Sequence, residues 1–141
     1  MNFDLVYPMA AMVLLTFLIL IRMFRSRVGD VRSGATKAAF YKTYQEGQET
    51  RETAQLSRQF VNLFESPVLF YAACTVGMLL GQNATVLLVL AWLYVVLRVA
   101  HAIIHTGRNK IQPRLRVYFS SWLVLLGMWG TLVFGIATRQ G

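Results

Sequence analysis

Four apolar runs, each long enough to cross a bilayer, limit what this chain can fold into. From Leu5 to Ile21 nearly every residue is apolar, and with Arg22 snorkelling the run covers the roughly 30 Å of a hydrocarbon core. No water reaches backbone N–H and C=O groups at that depth, so each run must satisfy them internally as a helix. The pattern predicts helices over about 5–24, 51–80, 85–106 and 116–138. The expected fold is an all-α, integral membrane four-helix bundle, a single transmembrane domain over 1–141. With 56% hydrophobic and 14% charged residues in 141, the chain is too apolar for an ordinary soluble domain and too short for a second one.

The punctuation between the runs is informative. Arg22, Arg25 and Arg27 close the first, and GDVRSG after them signals a loop or helix break. Residues 37–51 are polar, carry Tyr41 and Tyr44, and are expected at the membrane surface. The run over 51–80 is roughly 43 Å long as a helix, so its first two turns should project into water, and Pro67 should bend it. GQNA at 81–84 is a tight turn, and Arg139 follows the last helix, which contains Trp122 and Trp129. Basic residues crowd the first and third connections and are absent from the turn at 81–84. The positive-inside rule therefore places both basic loops in the cytoplasm and both termini outside. Asp4, with no preceding Lys or Arg, argues against a cleaved signal.

The net charge of +8 is read as topology rather than nucleic-acid binding, because no nucleic-acid motif accompanies it. No nucleic-acid partner is expected. Cys74 lies inside an apolar run and reads as a packing residue.

Against this apolar background two polar stripes stand out. Arg58, Asn62 and Glu65 fall at i, i+4 and i+7 on one helical face, where a charge in hydrocarbon costs roughly 2.5–3.5 kcal/mol. Arg98, His101 and His105 form a second stripe at i, i+3 and i+7. Both lie toward the basic loops, so they can meet, with Glu65 and Arg98 the natural pair. One reading is a structural network holding the bundle together. A second counts Arg58, Arg98, Arg32 and Arg116 against only Glu65 and Asp30, a surplus suited to a carboxylate or thiolate ligand. A third, a metal on His101, His105 and Glu65, is disfavoured by the adjacent Arg98, and no metal is expected.

These residues resemble the MAPEG family, membrane proteins of eicosanoid and glutathione metabolism that include the microsomal glutathione transferases. The likeness rests on Arg58, Asn62 and Glu65 with the following proline, GDVR at 29–32, RVAHAIIH at 98–105, Gly107 and the basic run to Arg116. It is closer to the family's bacterial branches than to the eicosanoid enzymes. It implies a homotrimer binding glutathione between subunits near the cytoplasmic side, and a transferase or peroxidase acting on a lipophilic electrophile. Arg58, Asn62, Glu65 and His101 then fall at ligand-contacting positions, with Arg98 oriented by Glu65. Arg32 matches a carboxylate-binding residue, and His105 stands where well-studied members have tyrosine. Arg116 is the implied thiolate-stabilising residue, with Arg114 its competitor. The alternative is a non-catalytic scaffold or anion-binding protein whose polar cluster serves trimer assembly.

Overall fold

The structure, a computed structural model, describes residues 3–45, 47–81 and 84–138. Gln82 and Asn83 of the expected turn, and Arg139, lie outside the described residues. Six helices follow in order: α1 (Val6–Arg32), α2 (Phe40–Thr43), α3 (Arg51–Asn62), α4 (Ser66–Leu80), α5 (Ala84–Thr106) and α6 (Ile111–Ala137). Among the described residues, four stretches are long and apolar enough to cross a membrane: α1, α3 with α4, α5, and α6. Each presents apolar side chains outward, such as Phe17, Leu123 and Leu126, as helices facing lipid or a partner do.

Three boundaries differ from the sequence expectation. Helix α1 does not stop near residue 24 but runs through Gly29 to Arg32. A mid-helix glycine costs only about 1 kcal/mol, and side chains of this extension hold α3. The stop comes at Gly34, whose φ of +76° is left-handed, a conformation that favours glycine. Helix α6 starts at Ile111 rather than near 116. Pro113 sits in its first turn, where a missing N–H is harmless. The third difference is the bend expected at Pro67, which is a full break: α3 ends at Asn62 and α4 restarts at Ser66, with Pro67 in its first turn.

The core lies where α1, α4, α5 and α6 meet. Met12, Phe70, Leu87, Tyr94 and Met128 are fully buried, and the Phe70 and Tyr94 rings stack at 4.6 Å between centroids. Tyr94 keeps its hydroxyl satisfied by sharing a 2.9 Å hydrogen bond with Ser66, a polar tip that must be paired when buried. Cys74 is buried in the same core.

At the other end of α1, Asp30 fixes the start of α3. Its Oδ2 accepts from the Thr50 hydroxyl at 2.8 Å and the Thr53 hydroxyl at 2.6 Å. Thr50 is also the N-cap of α3, accepting from the Thr53 N–H. Asp30 thus positions a helix across 20 residues of chain. Asp30→Ala is expected to cost about 2 kcal/mol, the scale of hydrogen bonds to a charged group, and Asp30→Asn much less because the amide oxygen still accepts. Melting in detergent measures both; an unchanged midpoint for Asp30→Ala would remove the role.

Candidate functional site

The break at residues 63–65 creates the chemistry of the site. A helix C-terminus leaves its last carbonyls unpaired and carries partial negative charge. In hydrocarbon these groups need a donor. Arg98, fully buried on α5, supplies it: Nη2 donates to the Asn62 carbonyl at 3.1 Å and also, closely, to Asn62 Oδ1. The Asn62 amide then donates from Nδ2 to Glu65 Oε2 at 2.9 Å. Glu65 and Arg98, expected as a direct pair, make no ion pair; Asn62 stands between them and couples them. The reason is the elbow, which brings a backbone carbonyl and an amide oxygen nearer the guanidinium than the carboxylate.

His101 and His105 continue the Arg98 face toward the end of α5. Their ring centroids are 5.6 Å apart, and His101 lies 5.6 Å from the Tyr118 ring of α6. Helix α5 ends just beyond. Asn109 takes a left-handed φ of +50°, which asparagine tolerates. A Cβ on Gly107 would stand 2.9 Å from the Ile103 carbonyl oxygen, so only glycine fits there.

In front of this polar floor lies an open groove of about 670 Å³, walled by Met23 and Arg27 of α1, Tyr44, and the α3 face carrying Ser57, Arg58 and Asn62, with Glu65 and His105 at its edges. Of the residues expected from sequence, Arg58, Asn62, Glu65 and His105 share this groove. Arg98 lies behind it and reaches it through Asn62. His101 is buried beside Tyr118. Arg32 lines an adjoining groove of about 460 Å³ that shares Arg27 and Tyr44 with the first.

Arg114 and Arg116 diverge. Two residues along a helix turn the side chain through about 200°, so they cannot share a face. Arg114 donates to Asn109 Oδ1 at 2.7 Å and is near enough to bear electrostatically on both His101 and His105. Arg116 is exposed and Arg114 half-buried, and neither lines either groove.

Sequence reasoning missed the opposite wall. Arg27 pairs with Glu49 at 3.2 Å and donates to the Ser57 hydroxyl at 3.0 Å. That hydroxyl in turn donates to Glu49 at 2.9 Å. The guanidinium carbon lies 5.2 Å from the Tyr41 ring centroid and 5.8 Å from that of Tyr44, within cation–π range. Burial first, then the Asp30 and Glu49 charges, push the Tyr41 hydroxyl up from its ordinary value, so this ring stays neutral beside Arg27. In sequence Tyr41 and Tyr44 read only as surface aromatics, and no spacing rule links residue 27 to residue 49 across a loop.

The groove therefore offers a guanidinium, a carboxylate, an amide and an imidazole to one ligand. Glu65 is already engaged by Asn62, and among the described residues no group of three His, Cys, Asp or Glu side chains could hold a metal ion. The arrangement suits a small molecule bearing both signs of charge.

No curated protein and no solved structure matches the chain. One family model does: that of the MAPEG family, over residues 5–134, which takes in the groove and reaches from the start of α1 into the last turn of α6. With four spans and a match of that extent, the chain is an integral, multi-pass membrane protein and belongs to the MAPEG family.

Proposed function

We propose that the chain is a single transmembrane domain that assembles as a homotrimer and binds glutathione in the 670 Å³ groove, with the basic loops and the groove mouth toward the cytoplasm and both termini outside. The observation that carries the reading is the convergence of Arg58, Asn62, Glu65 and His105 on one groove backed by the buried Arg98. Glutathione carries two carboxylates, an ammonium and a thiol, so it needs cations and an anion within one site. Arg58 and Arg32 suit the carboxylates, and Glu65 suits the ammonium. An arginine of the first turns of α6, Arg116 or its competitor Arg114, holds the sulfur as thiolate, the nucleophilic species.

As a transferase, the thiolate forms a carbon–sulfur bond to a lipophilic electrophile while the leaving group departs with its electron pair. As a peroxidase, two glutathiones become the disulfide while a lipid hydroperoxide becomes the alcohol and water. MAPEG membership supports both reactions.

Glutathione at a hundredfold excess over its Kd is expected to raise the melting midpoint by several degrees, since ligand linkage at that ratio is worth about 2.7 kcal/mol. Arg58→Ala should weaken binding about tenfold or more, the loss of one charge-assisted contact. Absence of any shift at millimolar glutathione in the wild type would sink the binding reading. A second reading, a non-catalytic scaffold, is favoured by one observation: Arg98 ties α5 directly to the α3–α4 elbow through Asn62. It expects no thiol-dependent activity in wild type or variants.

A further inference from the structure

The pair of helices that walls the polar groove carries a second charged groove on its other flank. Arg25 and Arg27 are two residues apart on α1, so their side chains point about 200° apart. Arg27 lines the polar groove, and Arg25 lines a separate one of about 340 Å³. Arg22, Arg25 and Ser26 of α1 wall it on one side and Glu52 of α3 on the other, beside the buried Leu56. A 2.6 Å hydrogen bond between the Ser26 and Thr53 hydroxyls ties the two helices together at this level. Arg22 reaches across to the end of α5, donating to the Thr106 hydroxyl at 3.4 Å. Among the described residues Arg22, Arg25 and Glu52 form no ion pair with one another, so the groove holds two guanidiniums and a carboxylate with room between them.

Depth orders these charges. Arg22 ends the apolar run of α1, and the exposed Leu18 and Ile21 stand on the same face, four residues before Arg22 and Arg25. The groove therefore opens at the membrane–water boundary with hydrocarbon contacts beneath it. The Ser26–Thr53 bond sets Glu52 level with Ser26, about 6 Å further out than Arg22 at 1.5 Å of rise per residue. A phospholipid presents its chains, its phosphate and then its headgroup amine in the same order. We propose that this groove binds the headgroup of a phosphatidylethanolamine, with the phosphate on Arg22 and Arg25 and the ammonium on Glu52. Guanidiniums suit the phosphate through forked contacts, and a primary ammonium donates to the carboxylate. Choline has no N–H to give, glycerol has no cation, and serine adds a carboxylate that Glu52 repels. The glutathione reading of the polar groove is not needed for this one.

The test uses the full-length protein in detergent, titrated with equal mixtures of dioleoyl phosphatidylethanolamine, phosphatidylcholine and phosphatidylglycerol, with the retained lipids identified by native mass spectrometry. Phosphatidylethanolamine is expected to be retained about two- to fivefold over each of the others, the scale of one exposed ion pair. Glu52→Gln should abolish its advantage over phosphatidylcholine, and Arg22→Ala combined with Arg25→Ala should lower retention of both. Arg108→Ala removes a positive charge outside the groove and should change neither, while melting midpoints show every variant folded. Free glycerophosphoethanolamine at the same concentration should displace none of the lipid, because it lacks the chains that lie along Leu18 and Ile21. Equal retention of the three lipids, an advantage that survives Glu52→Gln, an Arg108→Ala loss as large as that of the double variant, or displacement by the free headgroup overturns the proposal.

Discussion

Arg98→Ala is expected to destabilise the protein by about 2–4 kcal/mol, the loss of a charged donor's hydrogen bonds and of a large buried side chain, offset in part because its Nε and Nη1 are buried without a partner among the described residues. Arg98 is fully buried and donates to both the carbonyl and the side-chain amide oxygen of Asn62. Truncation leaves the Asn62 carbonyl with only the Glu65 N–H at 3.4 Å, deprives Asn62 Oδ1 of its donor, frees the amide to turn away from Glu65, and empties the volume of a large side chain. Two further variants separate these effects. Arg98→Met refills much of the volume but restores neither hydrogen bond, so it should recover only the packing part. Arg98→Lys keeps the charge and a donor, but its shorter side chain falls short of the position from which Nη2 reaches both Asn62 oxygens, so it should fall between wild type and alanine. Detergent melting curves report all three. A midpoint for Arg98→Ala within a degree or two of wild type would show that Arg98 is not what closes the elbow.

The same residue shows how far the sequence could be read. Four helices follow from apolar runs of bilayer length, and the meeting of the two polar stripes follows from the cost of charge in hydrocarbon. What joins them does not follow. Residue type suggests a Glu65–Arg98 ion pair, but the bond goes to Asn62 because the chain breaks at 63–65 and exposes a carbonyl there. Pro67 announces a bend without saying which carbonyl it frees.

The extension of α1 through Gly29 was illegible for a related reason. Local composition favours a stop, and what opposes it is Asp30 and Arg27 bonding to residues twenty or more positions away. Arg27 itself reads as a topology signal in any window of sequence. Its pairing with Glu49 and its place over two tyrosines exist only once the 33–50 connection has folded back.

Arg114 and Arg116 pose a question of the same kind, since spacing along the chain names both and they lie on different faces of α6. Arg114→Ala is expected to lower the rate of glutathione conjugation to a generic aryl halide by about 10²–10³-fold, the usual loss on removing one group that stabilises developing or resident negative charge. Arg116→Ala should stay within about threefold of wild type, because its side chain points about 200° away from that of Arg114, the one of the two that bears on His101 and His105.

The pH profile distinguishes a thiolate role from a merely structural one. A nearby guanidinium favours the anionic form of the bound thiol, lowering its pKa below the ordinary value of about 8.5. The wild-type rate should therefore reach its plateau at a lower pH than free glutathione allows. In Arg114→Ala the inflection should move up toward about 8.5, so the deficit is greatest near neutrality and narrows as the medium becomes alkaline. A variant that loses rate equally at every pH has lost positioning rather than thiolate stabilisation. If Arg116→Ala instead shows the large loss and the displaced inflection, the thiolate is held by the face that α6 turns outward, and the site must be completed by a neighbouring subunit. Wild-type rates and inflections in both variants would leave the thiolate with no arginine at this end of α6 to hold it.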